Sequence, residues 1–299
     1  MLQRHLQDTY EYLFDAAHRA LLEGGSFAPF GAGIRKTGEQ IHTNVDLPTD
    51  RSVPADHISG LIAGFRLDEE ENGLIAAGLV KRGLLLCGEM TTDKFRPRLA
   101  TTEHRHDLAI ALLFGDAATA IAFSDEGRQV KATACGADGS GLDLMIVPGG
   151  GARMAWSPAL FERTADAAGE LRRPVDLVLR GPQVFNFTMK RVPPMVESLL
   201  RQAGYGPDDI DAYVPHQANK YMIEFLVRRM KLPRDKVLLC IEEYGNTASA
   251  SIPLTMLTRG GERLGRPTKW ALVGFGVGLS WSGMILETDA IETFPIVEI

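Results

Sequence analysis

The chain has 299 residues, of which 45% are hydrophobic and 23% charged, a balance typical of a globular protein with one large or two medium domains. Its formal net charge of −6 gives no basic excess, so a nucleic-acid-binding protein is not expected. The three cysteines are too few and too widely spaced for a disulfide framework, a zinc ribbon or a CxxC redox pair, and they favour a reducing, cytoplasmic setting.

Neither a targeting segment nor a membrane span is predicted. The first residues are polar and mixed in charge, and they lack the apolar core of a signal peptide. The apolar run Gly73–Gly88 is interrupted by Lys81 and Arg82, and the run Trp270–Leu286 is broken by glycines. Both runs are interpreted as buried strands, so no membrane partner is expected.

Residues 1–50 are predicted to form an atypical α+β segment. Apolar residues recur at helical spacing over Leu6–Leu22, and the pair Gly24–Gly25 would end that helix. The following residues predict two strands that are joined by a turn at Thr37–Gly38. This segment carries no catalytic signature.

Residues 51–126 combine apolar runs with a basic loop that contains histidine. KRGLLLCGEM (81–90) predicts a buried strand, and Leu108–Ser124 predicts an apolar helix, a tight turn at Gly115–Asp116 and a buried strand. His104 and His106 lie in the loop between them, but no third ligand is near in sequence. The sequence therefore predicts no metal site.

Residues 127–299 alternate between strand and helix patterns. The predicted elements are strands near Gly127–Ala134 and Asp143–Val147, a helix over Pro193–Gly204, a strand over Ala212–Val214, a helix from about Asn219, a strand VLLC (237–240) followed by a loop and a helix, and two strands joined by a glycine-rich turn within Trp270–Leu286. This alternation predicts an α/β layered fold with a mixed sheet.

Two loops in this region carry residues suited to catalysis. His216 in VPHQAN and Asn246 in YGNT each follow a predicted strand and precede a helix. Both side chains can donate hydrogen bonds to a thioester carbonyl as negative charge develops on its oxygen. Gly276 and Val277, in the glycine-rich turn, could present a backbone N–H as a further donor. The residues alone leave open that His216 lies on the surface beside a helix N-cap and that the glycines form only a turn.

The order and spacing of three blocks resemble the C-terminal half of β-ketoacyl-acyl-carrier-protein synthase III and its thiolase-fold relatives. The blocks are PHQAN (215–219), EEYGNTASASIP (242–253) and GFGVGLSWSG (274–283), and FGDAATAIAF and GPQVFNF are similar to further family segments. The resemblance covers roughly residues 73–290. It implies a thiolase-like layered αβαβα fold with an incomplete or atypical N-terminal half, in which residues 51–126 are a remnant of the first half and residues 127–299 form the second.

The resemblance also implies an activity. It is the decarboxylative condensation of an acyl thioester with a malonyl thioester, as in fatty acid or polyketide-type biosynthesis. His216 and Asn246 would stabilise the enolate oxygen, and the backbone near Val277 would contribute to an oxyanion hole. The substrates would be thioesters of coenzyme A or acyl carrier protein, with no tightly bound cofactor. Arg228 and Arg229 could attract an acidic carrier protein, and the chain would form a homodimer or a heterodimer with a related synthase.

The nucleophilic cysteine of the family has no counterpart in this sequence. The segment nearest to its motif, Asp56–Gly64, places Ile58 at the position of the nucleophile, and isoleucine cannot be acylated. Cys87 and Cys240 fall in apolar strand patterns, where thiols are commonly inert, and Cys135 falls in a predicted surface loop.

Three hypotheses therefore stay open at this point. The chain is an acyltransferase with an unusual or replaced nucleophile, which can still decarboxylate malonyl thioesters. It is a non-catalytic thiolase-fold subunit that pairs with an active partner. Or it is a truncated or recombined, inactive chain.

Overall fold

The structure is a computed structural model that describes residues 30–34, 40–44, 82–89, 112–124, 129–165 and 171–296. The chain divides into two compact units. Among the described residues, the smaller unit contains 30–34, 40–44, 82–85, 122–124, 145–165 and 171–179, and the larger contains 86–89, 112–121, 129–144 and 180–296. The helix predicted over Leu6–Leu22, the loop with His104 and His106, and Ile58 lie outside the described residues, and the division into three segments stays a prediction.

In the described part of the chain nine strands precede the first α-helix, and strands and helices are mixed after it. The strands are β1 (Phe30–Ile34), β2 (Gln40–Asn44), β3 (Arg82–Glu89), β4 (Ala117–Ser124), β5 (Val130–Ala137), β6 (Met145–Ile146), β7 (Thr164–Ala165), β8 (Leu171–Arg172), β9 (Val178–Leu179), β10 (Ala212–Pro215), β11 (Thr268–Gly276) and β12 (Ser280–Thr288). The α-helices are α1 (Gly181–Ala203), α2 (Lys220–Met230), α3 (Ile241–Tyr244) and α4 (Ser251–Arg259). Within these residues, no helix combines the length and the apolar composition needed to cross a membrane.

The first sheet has the strand order β2-β1-β3-β4. Its strands β1 and β2 are antiparallel, with Ala32 opposite His42, which confirms the predicted pair of strands. Strands were also predicted correctly at β3 and β4. Leu85 and Leu86 of β3 are nevertheless 41% and 42% exposed, so the expectation that this strand is buried is wrong for them. Strand β3 lies between β1 and β4 in the sheet, but neighbours at its edges do not cover the faces of the strand.

The second sheet has the order β10-β11-β12-β5 and positions the loops of interest. Its pair β10 and β11 is parallel, whereas the pairs β11–β12 and β12–β5 are antiparallel. The predicted mixed sheet and the predicted strands around the glycine-rich turn are therefore confirmed. Two short antiparallel ladders, β6 with β9 and β7 with β8, lie in the smaller unit.

Helix α1 covers the second sheet through one apolar face. Val192, Val196 and Leu199 recur at helical spacing, and each is at most 2% exposed. A Cβ atom on Gly283 of β12 would lie 2.6 Å from Cδ1 of Leu199, so the glycine allows the close approach of helix and sheet. The core therefore lies between α1 and the strands that end at the loops of interest.

Helix α1 begins twelve residues before the predicted start at Pro193. Proline is common in the first turn of a helix, which is why the sequence pattern indicated a start there. Pro193 and Pro194 instead lie inside α1, although each removes one backbone hydrogen bond. Burial of Val192 and Met195 on either side of them offsets this loss.

The predicted strand VLLC (237–240) is not a strand in the structure. Val237 forms one isolated parallel bridge with Tyr213, and Leu238 N donates to Tyr213 O. Two and three residues further on, the backbone N–H groups of Cys240 and Ile241 bind a side-chain oxygen instead of a neighbouring strand. A side chain that is distant in sequence thus ends the ladder, and an apolar run alone cannot reveal this.

We expect Leu199→Ala to lower the free energy of unfolding by about 2–5 kcal/mol, because it leaves a cavity between α1 and β12. Chemical denaturation measures the change. Glu197→Ala, at an exposed position of the same helix, should change stability by less than about 0.5 kcal/mol. Equal effects of the two substitutions would contradict the packing described here.

Candidate active site

His216 lies directly after β10, at the carboxyl end of a buried parallel strand. Its backbone N–H donates to Val273 O of β11 at 2.7 Å, which extends the pairing of the two strands by one residue. Val214 is fully buried and Val273 is 4% exposed, so the strand end is held in the core. The position of His216 is therefore set by the sheet.

Gln217 fixes the path of the chain after His216. It is fully buried, and its Nε2 donates to Pro215 O at 2.7 Å and to Leu238 O at 3.4 Å. Its Oε1 accepts from Cys240 N at 3.0 Å and Ile241 N at 3.2 Å. No sequence pattern predicts this role of Gln217, because only its place in the PHQAN block distinguishes it from a surface glutamine.

The remaining residues of the block start α2 and contact the second loop. Asn219 is the N-cap of α2, and its Oδ1 accepts from Met222 N at 2.8 Å. This confirms the predicted start of the helix. Ala218 O accepts from Nδ2 of Asn246 at 3.3 Å, so the two predicted loops meet next to His216.

The backbone of Asn246 is held by the segment that precedes β4. Asn246 N donates to Leu113 O at 2.8 Å, and Gly115 N donates to Asn246 O at 3.0 Å. A Cβ atom on Gly115 would lie 1.9 Å from Tyr244 O, so only glycine allows this approach. Gly245 has φ 67°, a conformation that glycine adopts readily.

The side chain of Asn246 is oriented by two backbone groups. It is 5% exposed, its Oδ1 accepts from Ala248 N at 2.9 Å, and its Nδ2 donates to Ala218 O. An amide nitrogen carries two hydrogens, and the described contacts use one of them. The second is available to an acceptor in the site.

The imidazole of His216 is held between two elements. Its Nδ1 lies 2.7 Å from Oγ of Ser251, at the start of α4, and the ring of Phe275 in β11 meets it edge to face at 5.5 Å between centroids. Burial lowers the pKa of His216 from 6.5 to about 4, and a hydrogen bond with the Ala248 backbone acts in the opposite direction. The ring is therefore neutral near pH 7 and can donate through one nitrogen only.

His216 and Asn246 thus meet at one short segment, residues 246–251. Asn246 binds the backbone of Ala248, and His216 contacts both Ala248 and Ser251 of the same segment. Two uncharged N–H donors in a partly dry site can stabilise negative charge on a ligand oxygen. Their catalytic role stays a prediction.

The glycine-rich turn follows the strand that packs on His216. Gly276 ends β11, and Val277 is 51% exposed, while its carbonyl accepts from Oγ of Ser280 at 2.7 Å. Leu279 is buried and exchanges two backbone hydrogen bonds with Asp138, of 2.7 and 3.1 Å. The turn is therefore anchored on its far side, and the predicted use of its N–H groups stays a prediction.

Asp138, which sequence analysis did not single out, is itself anchored. Its carboxylate accepts from Ser140 Oγ at 2.6 Å and from Arg191 of α1 at 3.0 Å. These contacts, first that with Ser140 and then that with Arg191, lower the pKa of Asp138. The Arg191 guanidinium also lies over the Trp281 ring, 5.0 Å from its centroid. The anchor of the turn is thus connected to α1.

The three cysteines lie in different elements, and only Cys240 is buried. Cys240 is 2% exposed, and its Sγ lies 3.0 Å from Oγ1 of Thr255. Because Thr255 uses its one hydroxyl hydrogen on Ser251 O, the thiol of Cys240 must be the donor. Burial raises the pKa of this thiol as well. Cys87 lies in β3, as predicted.

Cys135 is a correction, because it lies in β5 opposite Ser282 of β12 and not in a surface loop. The glycines after it suggested a loop, but pairing with β12 continues as far as Ala137. Ile58 lies outside the described residues, so the expected position of the nucleophile stays a prediction.

Arg228 and Arg229 are exposed in the last turn of α2, where a positive charge favours the helix terminus. A groove of about 500 Å³ lies beside them, and it is lined by Glu224, Val227, Arg228, Lys231, Leu232 and Arg234. Glu224 pairs with Arg234 at 2.9 Å, so the groove is basic on balance. Among the described residues, no group of three or more His, Cys, Asp or Glu side chains could hold a metal ion.

Comparison with known proteins places this site in a family context. The C-terminal family model of 3-oxoacyl-[acyl-carrier-protein (ACP)] synthase III matches residues 200–288, which include both loops and the glycine-rich turn. The β-ketoacyl-[acyl-carrier-protein] synthase III of Roseiflexus sp. (strain RS-1) is 32% identical over 188 residues, which are 62% of this chain and 54% of the relative. This chain thus spans about half the length of that relative.

A second relative and a solved structure extend the match. The β-ketoacyl-[acyl-carrier-protein] synthase III of Neisseria meningitidis serogroup C / serotype 2a is 30% identical over 238 residues, 78% of this chain and 67% of the relative. The crystal structure of a 3-oxoacyl-(acyl-carrier protein) synthase from Burkholderia xenovorans LB400 is 34% identical with a TM-score of 0.62, covering 79% of this chain and 62% of that one. The predicted α/β, thiolase-like fold class is confirmed.

We expect Gly115→Ala to lower the free energy of unfolding by about 1–3 kcal/mol, because its methyl group would displace the Tyr244 carbonyl. Chemical denaturation measures the loss, and the amide NMR signal of Asn246 should shift. Gly139→Ala is the matched control, since a Cβ atom there meets nothing within 4 Å. If both variants behave alike, the close approach does not fix the Asn246 loop.

We expect His216 to titrate near pH 4, well below the value of 6.5 for a solvated histidine. Between these two pH values the unfolded chain binds the proton and the folded chain does not. The contribution of His216 to stability is therefore present above pH 6.5 and is lost as the pH falls toward 4. An NMR titration of the imidazole measures the pKa, and a midpoint near 6.5 would contradict the lowered pKa of this half-buried ring.

Proposed function

Because this chain belongs to the β-ketoacyl-[acyl-carrier-protein] synthase III family, we propose that it is an acyltransferase that condenses an acyl thioester with a malonyl thioester, with loss of carbon dioxide. Such a reaction serves fatty acid or polyketide-type biosynthesis. The observation that carries the proposal is the meeting of His216 and Asn246 at residues 246–251. Both side chains arrive there as neutral N–H donors.

The chemistry that these two donors support is the decarboxylation step. The bond between the malonyl carboxylate and the α-carbon breaks, carbon dioxide leaves, and the electron pair moves onto the thioester carbonyl oxygen. His216 and Asn246 donate hydrogen bonds to this enolate oxygen. One such donor contributes about 3–4 kcal/mol of transition-state stabilisation. The α-carbon of the enolate then attacks the carbonyl carbon of the acyl thioester, whose thiol leaves.

A second oxyanion arises in that attack, on the carbonyl of the acyl donor. We assign the backbone N–H groups of Gly276 and Val277 to it. The support is positional, since the turn follows Phe275, which packs on the His216 ring, and Leu279 is tied to Asp138. Backbone donors fixed in this way need no reorganisation during the reaction.

Decarboxylation does not itself need an acylated residue, and this matters for a chain with Ile58 at the expected nucleophile position. Cys240 is buried and uses its S–H hydrogen on Thr255, so it is not proposed as a substitute. The step that His216 and Asn246 support can therefore be measured separately from condensation.

The proposal extends to substrates and partners. Thioesters of acyl carrier protein or coenzyme A are the substrates, without a tightly bound cofactor. Arg228, Arg229 and the basic groove beside them attract an acidic carrier protein. The protein acts in the cytoplasm as a homodimer or as a heterodimer with a related synthase, and it binds no nucleic acid.

We expect His216→Ala and Asn246→Ala each to slow malonyl-thioester decarboxylation by about 10²–10³-fold, because each removes one donor to the enolate oxygen. Release of carbon dioxide from malonyl-carrier protein and from malonyl-coenzyme A measures the rate. Gln202→Ala, which removes an exposed amide from α1, should leave the rate unchanged.

Absence of decarboxylation by the wild-type protein would overturn this assignment. Copurification with a related synthase that contains the cysteine would then favour a non-catalytic partner subunit. Mass spectrometry after incubation with an acyl thioester tests the condensing half, since a defined adduct identifies the residue that replaces the cysteine.

A further inference from the structure

Glu89 binds a distant part of the chain close to Asn246. It is the last residue of β3, and its side chain is half-buried. Its Oε1 accepts two hydrogen bonds from Ser249, one from the backbone N–H at 3.2 Å and one from Oγ at 2.5 Å. The two residues are 160 positions apart in sequence, and both lie in the larger unit. One carboxylate oxygen thus holds both the backbone and the side chain of Ser249.

This contact takes the place of a helix cap. A 3₁₀ turn, Ala248–Ala250, leads directly into α4, and Thr247 is its N-cap residue. A threonine there usually accepts from the backbone N–H two or three residues further on. Thr247 makes no such bond, and its buried hydroxyl has no partner among the described residues. The N–H of Ser249 is bound by Glu89 instead, and a negative charge is favourable at this end of a helix.

The backbone between Asn246 and Ser249 has a conformation that needs such support. Ala248 has φ 45°, in the left-handed region that residues other than glycine seldom adopt. The peptide plane before Ala248 is held by Asn246, whose Oδ1 accepts from Ala248 N at 2.9 Å. The plane after Ala248 is held by Glu89, through the N–H of Ser249. A strained conformation of this kind persists only where its surroundings fix it.

The N–H of Ala248 decides which way the amide of Asn246 faces. It must bind Oδ1, because a donor cannot bind the NH₂ group, and this leaves Nδ2 to donate to Ala218 O at 3.3 Å. If Ala248 left the left-handed region, its N–H would turn away from Oδ1. Of the described contacts, only the longer one with Ala218 would then orient the amide. The second hydrogen on Nδ2, the proposed donor to the enolate oxygen, would lose its direction.

We propose that Glu89 is a positioning residue, which holds Ser249 and thereby keeps Ala248 in the conformation that orients the amide of Asn246. The structural part of this proposal stands on the contacts of Glu89 and Ser249. Its consequence for catalysis rests on the proposed decarboxylation. The effect of Glu89 on the reaction passes through Asn246 and not through a contact with substrate.

The structural part can be measured without substrate. NMR follows the exchange of the Ala248 and Ser249 N–H groups with solvent, and Asn246→Ala identifies the side-chain amide signals of residue 246. We expect Glu89→Ala to speed exchange of both N–H groups by about tenfold or more and to shift the Asn246 amide signals. The N–H groups of β11, in the core, should keep their exchange rates, which separates a local effect from a general loss of stability.

Two further variants isolate the hydrogen bonds of Glu89. Glu89→Gln keeps an acceptor oxygen and should restore the wild-type exchange rates and amide signals. Ser249→Ala removes the Oγ contact and keeps the N–H contact, so it should give a smaller change in the same direction. Because Ser249 is exposed, this second variant also provides the test if Glu89→Ala does not fold.

The catalytic consequence has its own readout, because a positioning residue acts through its target. Glu89→Ala should lower kcat for malonyl-thioester decarboxylation by about 10-fold with a smaller change in KM, since Asn246 is misdirected and not removed. Adding Glu89→Ala to Asn246→Ala should slow the reaction no further. Glu197→Ala, which removes an exposed carboxylate from α1, is the control and should change neither the amide signals nor kcat.

The outcomes separate this proposal from the proposed function. Unchanged exchange and unchanged Asn246 signals in Glu89→Ala overturn the role of Glu89, and so does a further loss of rate when Glu89→Ala is added to Asn246→Ala. Signals that change in Glu89→Ala while kcat stays constant support the positioning of Asn246 and count against Asn246 as a donor in the reaction.

Discussion

The buried side chain of Gln217 is the constraint on which the site depends. Its amide binds Pro215 O beside it and, across the fold, the backbone of Cys240 and Ile241. The first contact sets the direction of the chain as it leaves His216, and the others set the start of α3, which leads into the Asn246 loop. Each bond contributes about 1 kcal/mol net, but removal of the amide would strand several buried backbone groups. One side chain thus links the position of the imidazole to that of the second donor.

The fold could be predicted where the signals are local. Asn219 identifies the start of α2 because an N-cap acts within its own helix, and the glycines at 274–278 identify the hairpin of β11 and β12. Local signals failed where distant groups decide the outcome. The VLLC run does not form a strand because the side chain of Gln217 accepts a hydrogen bond from the backbone N–H of Cys240. Helix α1 continues through Pro193 and Pro194 because the core favours continuous burial of its apolar face.

The site, too, could be predicted from local signals only in part. The residue types of His216 and Asn246 singled them out, and the structure brings their two loops together, although Asn246 follows α3 and not a strand. Their catalytic role stays a prediction. The contacts of Ser251 and Asp138 could not be predicted, since each contacts a residue far along the chain, His216 in one case and Leu279 in the other. Family resemblance did not supply them either, because it located the blocks and not the contacts between them. The expected nucleophile position lies outside the described residues and stays a prediction.

The pairing of Asn246 with the segment before β4 determines how this protein can be dissected. The family-model match begins at residue 200, yet the backbone partners of Asn246 lie at Leu113 and Gly115, and the anchor of the glycine-rich turn lies at Asp138. A fragment cut at the edge of the matched region would keep both donor side chains and lose the main-chain groups that aim them. The smallest fragment able to hold this site must therefore include residues 113–138 in addition to the region that the family model matches. If the protein is split into two pieces, both pieces must be present for the site to form. The break is best placed between residues 146 and 178, because these residues belong to the smaller unit and separate two segments of the larger one.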